Sequence, residues 1–266
     1  MSKERRRSDT VWKVLLGFFM FVLTRRYKLL ISGKELLAAE GAKLVLLEHP
    51  SHIEPIIMGV MAAQVTDTVP VISEQFMRLP FFGDVLRAWN AVPVSDLKLG
   101  NRDPEVLTKI TKGMTDALAQ GRTILLAPSG NITRGPLERI GNKQSAYAVV
   151  SQVPDGVKVI GVRIDGLWGS MWSWAWEGKR PSFIYNMLKG GFYFFVNLIF
   201  FIPKREVRIE FVDITEEAKQ QATTDRWTFN KYLEEFYNAK GPETLRYIRH
   251  FFFLPSWKKK PESVKD

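Results

Sequence analysis

The residues with the greatest chemical potential lie in one short stretch, Leu46-Leu47-Glu48-His49-Pro50-Ser51-His52-Ile53-Glu54-Pro55. Imidazole has an ordinary pKa of about 6.5, so it can take a hydroxyl proton near neutral pH, while a carboxylate on the other ring nitrogen fixes the tautomer and stabilises the imidazolium. His49 and Glu54 form such a pair if they meet, and general-base catalysis of this kind supplies about 10² to 10⁴ in rate. A five-residue step on a regular helix would separate them by about 140°, at about 100° per residue, so they can meet only across a turn. Pro50 and Pro55 favour that turn by disfavouring helical geometry at the residue before each. A plainer reading competes: Ser51-x-x-Glu54 is also a capping box, and His49 could be a packed core histidine.

A second stretch, Pro128-Ser129-Gly130-Asn131-Ile132-Thr133-Arg134-Gly135, follows another apolar run. Gly130 and Gly135 permit close backbone approach, and Thr133 with Arg134 could hydrogen-bond an anion beside a helix start. The alternative is a strand-to-helix loop with a surface arginine. Arg163 and Asp165 are candidates by position only, with an ion pair that holds a loop as the competing reading. Asp84 and Arg87 read as solvated or capping charges, and Lys98, Arg102 and Lys109 as a solvated basic face.

These stretches must be held by a sheet. Residues 43–47, 69–73, 123–127, 157–164 and 207–212 read as strands. Residues 56–65 and 144–151 read as helical, as does a segment opened by Asp103 and Pro104 with Val106, Ile110, Met114, Ala117 and Leu118 at helical spacing. Asp225 opens a final aromatic-rich helix. The alternation predicts an α/β fold with a mainly parallel sheet flanked by helices, and catalytic groups in such sheets gather at strand ends. The expected organisation is a membrane-associated N-terminal segment over residues 1–30, one domain over 31–255 and a basic tail over 256–266.

The motifs, in this order, resemble the glycerolipid (lysophospholipid) acyltransferase superfamily over residues 30–215. His49-x4-Glu54 is similar to its His-x4-Asp motif, with glutamate in place of aspartate. The 128–135 stretch is similar to its Pro-Glu-Gly-Thr-Arg block and closer to a Pro-Glu-Gly-Arg-Ile-Thr variant. Residues 159–164 match a hydrophobic fourth block, with Gly161 where proline is usual. The resemblance implies transfer of a fatty acyl group from acyl-CoA or acyl carrier protein to a lysophospholipid (1-acylglycerol-3-phosphate-like) hydroxyl. It gives His49 the role of general base, Glu54 its support, and Ser129, Gly130, Asn131, Thr133 and Arg134 the role of binding substrate, with no cofactor and no metal. Departures bear on the acceptor. Ser129 and Asn131 stand where a glutamate and an arginine are expected, and the second block, near residues 91–96, lacks its arginine unless Lys98 or Arg102 substitutes. An amino-lipid or saccharolipid acceptor, or a non-catalytic lipid-binding relative, is the alternative.

The net charge of +10 points to an anionic partner, a lipid surface or a phosphorylated substrate. No recognition-helix motif or aromatic-basic sheet signature is present, so nucleic acid is not an expected partner. The absence of cysteine removes thiolate catalysis and suits a reducing compartment, and three histidines are too few for an ordinary zinc site. Residues 11–23 and 191–202 are strongly apolar but shorter than the roughly 20 residues that cross a bilayer, and both are flanked by cations at each end. They are expected to lie in the headgroup plane, with buried core helices as the alternative. Trp168, Trp172, Trp174 and Trp176 fit either an interfacial cluster or ordinary packing. The expected location is the cytoplasmic face of the inner membrane.

Overall fold

The computed structural model describes residues 3–80, 82–94 and 104–254. Its strands are β1 (Tyr27–Ser32), β2 (Lys43–Leu47), β3 (Thr68–Ser73), β4 (Val92–Val94), β5 (Thr123–Leu126), β6 (Lys158–Asp165) and β7 (Arg205–Asp213). They form one sheet in the order β1-β7-β6-β2-β5-β3-β4. β6 and β7 run antiparallel, and every other neighbouring pair is parallel. The expected mainly parallel sheet is therefore present, with β1 and β7 reversed relative to the rest.

The helices are α1 (Lys3–Arg26), α2 (Lys34–Ala38), α3 (Glu54–Ala62), α4 (Glu74–Met77), α5 (Phe82–Ala88), α6 (Pro104–Ala119), α7 (Ser145–Val150), α8 (Phe183–Val196), α9 (Thr215–Ala222) and α10 (Arg226–Asn238). Every residue of β2 and β5 is buried, which explains why both read as unbroken apolar runs: helices cover both faces. Successive strand residues point to opposite faces. Val45 and Leu47 thus join a core with α1, α3 and α8, while Leu44 and Leu46 join one with α6, α7, α9 and α10. β6 explains the glycine that stands in place of proline. A Cβ on Gly161 would sit 2.5 Å from the Phe236 ring of α10, so the bare backbone is what lets that helix pack so closely. Asp225 caps α10 as expected, accepting from the Trp227 and Thr228 amides.

Two expectations about organisation change. The boundary after residue 30 falls inside β1, and α1 contributes Leu16 and Leu23 to the core, so the N-terminal segment is built into the domain. The strand was missed because Leu29, Leu30 and Ile31 are consecutive apolar residues that hide the alternation of exposed and half-buried positions, directly after an apolar helix. The tryptophan cluster is mostly packing: Trp168, Trp172 and Trp176 are buried.

After α10 the chain crosses back over the sheet as a strap without regular structure, residues 241–254. Burial of Arg205 at 1% exposure is supported by carbonyls of Gly166, Gly169 and Arg246, all of which accept from its guanidinium. Glu243 accepts from the Gly166 and Trp168 amides at 2.6 and 2.8 Å. Asn197, at the end of α8, donates to the His250 carbonyl and accepts from the Phe252 amide, and Arg26 of α1 donates to the carbonyls of Pro203 and Arg249. The strap thereby ties α1, α8 and the loop after β6 together.

Among the described residues no helix is long and apolar enough to cross a membrane. The outer faces of two helices are nevertheless apolar. Val14, Phe18 and Phe21 of α1 are exposed, as are Ile184, Leu188, Phe192 and Phe195 of α8, each set at the three- and four-residue spacing of one helix face. Phe200, Phe201, Phe252 and Phe253 extend this exposed surface, and Phe201 packs against Phe252 at 5.3 Å between ring centroids.

Candidate active site

β2 ends at Leu47, and the chain then makes a turn before α3 begins. His49 Nδ1 and Glu54 Oε2 lie 2.7 Å apart across that turn. Glu54 is the first residue of α3, its N-cap is Ile53, and no side chain caps the helix. Ser51 is fully buried and its hydroxyl has no hydrogen-bond partner, so the capping-box reading does not hold. The carboxylate is spent on the imidazole instead. With Nδ1 engaged, Nε2 is the ring nitrogen left for a substrate, and the His49 side chain keeps 13% exposure against 1% for Glu54.

The loop after β5 clamps the histidine's backbone from both sides. The Thr133 amide donates to the His49 carbonyl at 3.0 Å, and the His49 amide donates to Glu138 Oε2 at 3.1 Å. Glu138 is in turn fixed by Asn238 of α10, whose side-chain amide pairs with both its N–H and its carbonyl. Sequence reasoning missed Glu138. A carboxylate nine positions after Ser129, where a glutamate is expected, was the available signal.

The sequence-predicted binding residues divide. Gly130 and Asn131 line the cavity beside His49 and are exposed, and Gly130 adopts φ +62°, a conformation that glycine takes without strain. Ser129 is buried and its hydroxyl donates to the Asn131 carbonyl. The Thr133 hydroxyl is engaged by the Gly135 and Leu137 carbonyls, which shapes the loop. Arg134 does not line the cavity; its guanidinium lies over the Trp174 ring, 5.1 Å from the centroid. Arg163 and Asp165 also lie outside it, pairing with Glu210 and Arg208 respectively. Asp84 and Arg87 pair with each other on the surface. Lys98, Arg102 and Asp103 lie outside the described residues.

Behind His49 lies a group of carboxyls, of which Glu54 and Glu138 are buried and Glu48 and Glu243 half-buried. Burial raises Glu48 well above the ordinary range, helped by the charges of Glu138, Glu243 and Glu54, although the Ile164 amide opposes it. Burial also raises Glu54, against the pull of His49. It pushes Glu138 and Glu243 each up to about 7. A carboxyl that titrates near 4.5 when unfolded and near 7 when folded keeps its proton longer in the fold. Its full contribution to stability is therefore present below about pH 4.5 and is lost as pH rises to about 7. Glu243→Gln keeps an acceptor for the Gly166 and Trp168 amides but cannot ionise. We expect wild-type stability to decline between pH 5 and pH 8, and the variant to lose less, by on the order of 3 kcal/mol. Urea unfolding at several pH values would check this, and parallel profiles would refute it.

The pair opens on a cavity of about 1510 Å³. Its walls are apolar along much of their length: Leu15, Phe19 and Val22 from α1, Phe76 and Phe82 from α4 and α5, and Phe183, Met187 and Phe194 from α8. The volume exceeds the roughly 300–1,000 Å³ of an ordinary small-molecule pocket and suits a long apolar chain.

Comparison with known proteins bears on the fold and the family. The chain resembles the 1-acyl-sn-glycerophosphate (LPA) acyltransferase PlsC from Thermotoga maritima, a crystal structure, with a TM-score of 0.56 and 17% sequence identity, over 90% of this chain and 82% of that one. At that identity the likeness is one of fold. A search of the curated proteins finds no match. The sequence model of the Acyltransferase family matches residues 28–165, a span that holds the β2 turn, the loop after β5 and all of β6. The chain belongs to the Acyltransferase family.

Proposed function

We propose that the protein moves a fatty acyl group from a thioester, acyl-CoA or acyl carrier protein, to the free hydroxyl of a lysophospholipid such as a 1-acylglycerol 3-phosphate. The observation that carries this reading is the His49–Glu54 pair, 2.7 Å apart, at the opening of a large apolar cavity. The acceptor hydroxyl gives its proton to His49 Nε2 while its oxygen attacks the thioester carbonyl carbon. Glu54 holds the imidazolium that results. The tetrahedral intermediate collapses with cleavage of the C–S bond, the thiolate leaves with the proton from His49, and an ester remains on the acceptor. With no cysteine in the chain, no thiol of the enzyme takes part, and the reaction needs no cofactor.

A lysophospholipid acceptor partitions into lipid, and the exposed apolar faces of α1 and α8 support docking at a lipid surface. Lys189, Lys204 and Arg25 accompany those faces and suit anionic headgroups. The proposed site of action is the cytoplasmic face of the inner membrane. The test presents purified protein on vesicles with labelled acyl-CoA or acyl carrier protein and a panel of lysophospholipids, an amino-lipid and a saccharolipid. The reading expects labelled diacyl product from a lysophospholipid and co-sedimentation with anionic vesicles. Labelling of only the other acceptors, or no thioester consumption, would overturn the acceptor or the reaction respectively.

A further inference from the structure

Among the described residues, four cationic side chains line the cavity: Arg26, Lys143, Arg180 and Arg205. Two are spoken for. Arg26 donates to the Pro203 and Arg249 carbonyls, and Arg205 donates to those of Gly166, Gly169 and Arg246. Arg180 and Lys143 differ, since neither charged group has an ion pair or hydrogen bond among the described residues. Both are exposed, which places them on the cavity rim rather than along its apolar walls.

Their places in the fold make them complementary. Arg180 lies two residues before the Ser182 cap of α8, which packs on one face of the sheet, and Lys143 immediately precedes the Gln144 cap of α7, which packs on the other. The two cations therefore approach the cavity from elements on opposite faces of the sheet. Arg180 lies three residues before Phe183, whose ring packs edge-on against that of His52 with 6.2 Å between centroids. His52, three residues from His49, is pushed down to about 4 by burial, then by the charge of His49, then by that of Arg180. Gly130, Asn131, Asn142 and Gln144 complete a polar rim on an otherwise apolar cavity. The loop's own arginine is not available there, because Arg134 lies over Trp174.

We propose that Arg180, with Lys143 as a second cation of the same cavity, is the binding site for a phosphate group of the substrate at the cavity mouth. A phosphate suits these groups: guanidinium forms paired, charge-assisted hydrogen bonds to phosphate oxygens, and an ammonium adds a point charge. The phosphate belongs either to the lysolipid headgroup or to coenzyme A. This assignment rests on reading the cavity as the acyl-transfer site, and it deepens that reading by naming the residues that select a phosphorylated substrate.

The test measures binding in the His49→Ala background, so that no turnover is required. Probes are 1-oleoyl lysophosphatidate, the neutral 1-oleoylglycerol and coenzyme A. Arg180→Gln is expected to weaken one phosphate-bearing probe by about 10- to 100-fold while leaving 1-oleoylglycerol unchanged. Arg180→Lys should restore part of the loss, and Lys143→Gln should give a smaller loss on the same probe. A loss on lysophosphatidate assigns the site to the acceptor, and a loss on coenzyme A assigns it to the donor. Unchanged affinity for both phosphate probes, or an equal loss on the neutral lipid, would overturn the proposal. An absence of acyl transfer in the wild type would sink the reaction instead and leave these affinities readable.

Discussion

His49→Ala is expected to lower acyl transfer by at least about 10³-fold while leaving the fold and vesicle binding unchanged. The imidazole is the group positioned to accept the hydroxyl proton at the cavity mouth, and residues acting as one unit with their support lose most of their effect when the reacting member goes. Structural cost should be small, because the ring is partly exposed and its backbone contacts to Thr133 and Glu138 survive in alanine. Single-turnover measurement with labelled donor, beside circular dichroism and vesicle sedimentation, decides the matter. Near wild-type turnover in a folded variant would place the base elsewhere.

Glu54→Gln should come next, with a loss of about 10² to 10⁴ in kcat. The amide retains the size of the side chain but can present an N–H to Nδ1. That favours the tautomer with the proton on Nε2, where it blocks acceptance of the hydroxyl proton. Because burial already raises the Glu54 carboxyl, removing its charge should leave stability equal or higher, so lost activity could not be ascribed to unfolding. Glu54→Asp tests distance instead of charge: retraction by one methylene lengthens the 2.7 Å bond and should produce an intermediate loss. Full activity in the glutamine variant would show that Glu54 is only a structural partner.

The central strands were readable because each is a buried run between turn residues, and β2 occupies the expected residues. The active pair was readable as a possibility. Ser51-x-x-Glu54 carries the same letters whether the carboxylate caps a helix or reaches back to an imidazole, and only the position of the N-cap at Ile53 separates the two. Thr133 and Arg134 were legible as a loop but not in detail, since their orientation depends on Gly135, Leu137 and Trp174. Glu138, Arg180 and the strap were not legible. Glu138 meets His49 across 89 residues, and no local spacing marks a partner at that separation. Arg180 looks like any other surface arginine until the cavity places it on a rim.

The strap also sets an order of events during synthesis. Arg26 at the end of α1 meets the Arg249 carbonyl across 223 residues, so the first helix waits for nearly all of the chain before this contact can form. At translation speeds of about 5 to 20 residues per second, that interval is roughly 10 to 45 s. During it, α1 can pack on β1 and α3, which are made early, but not yet on α8 or the strap. The cavity that α1 and α8 wall together is thus completed late, after the His49 turn and the loop after β5 have already been made.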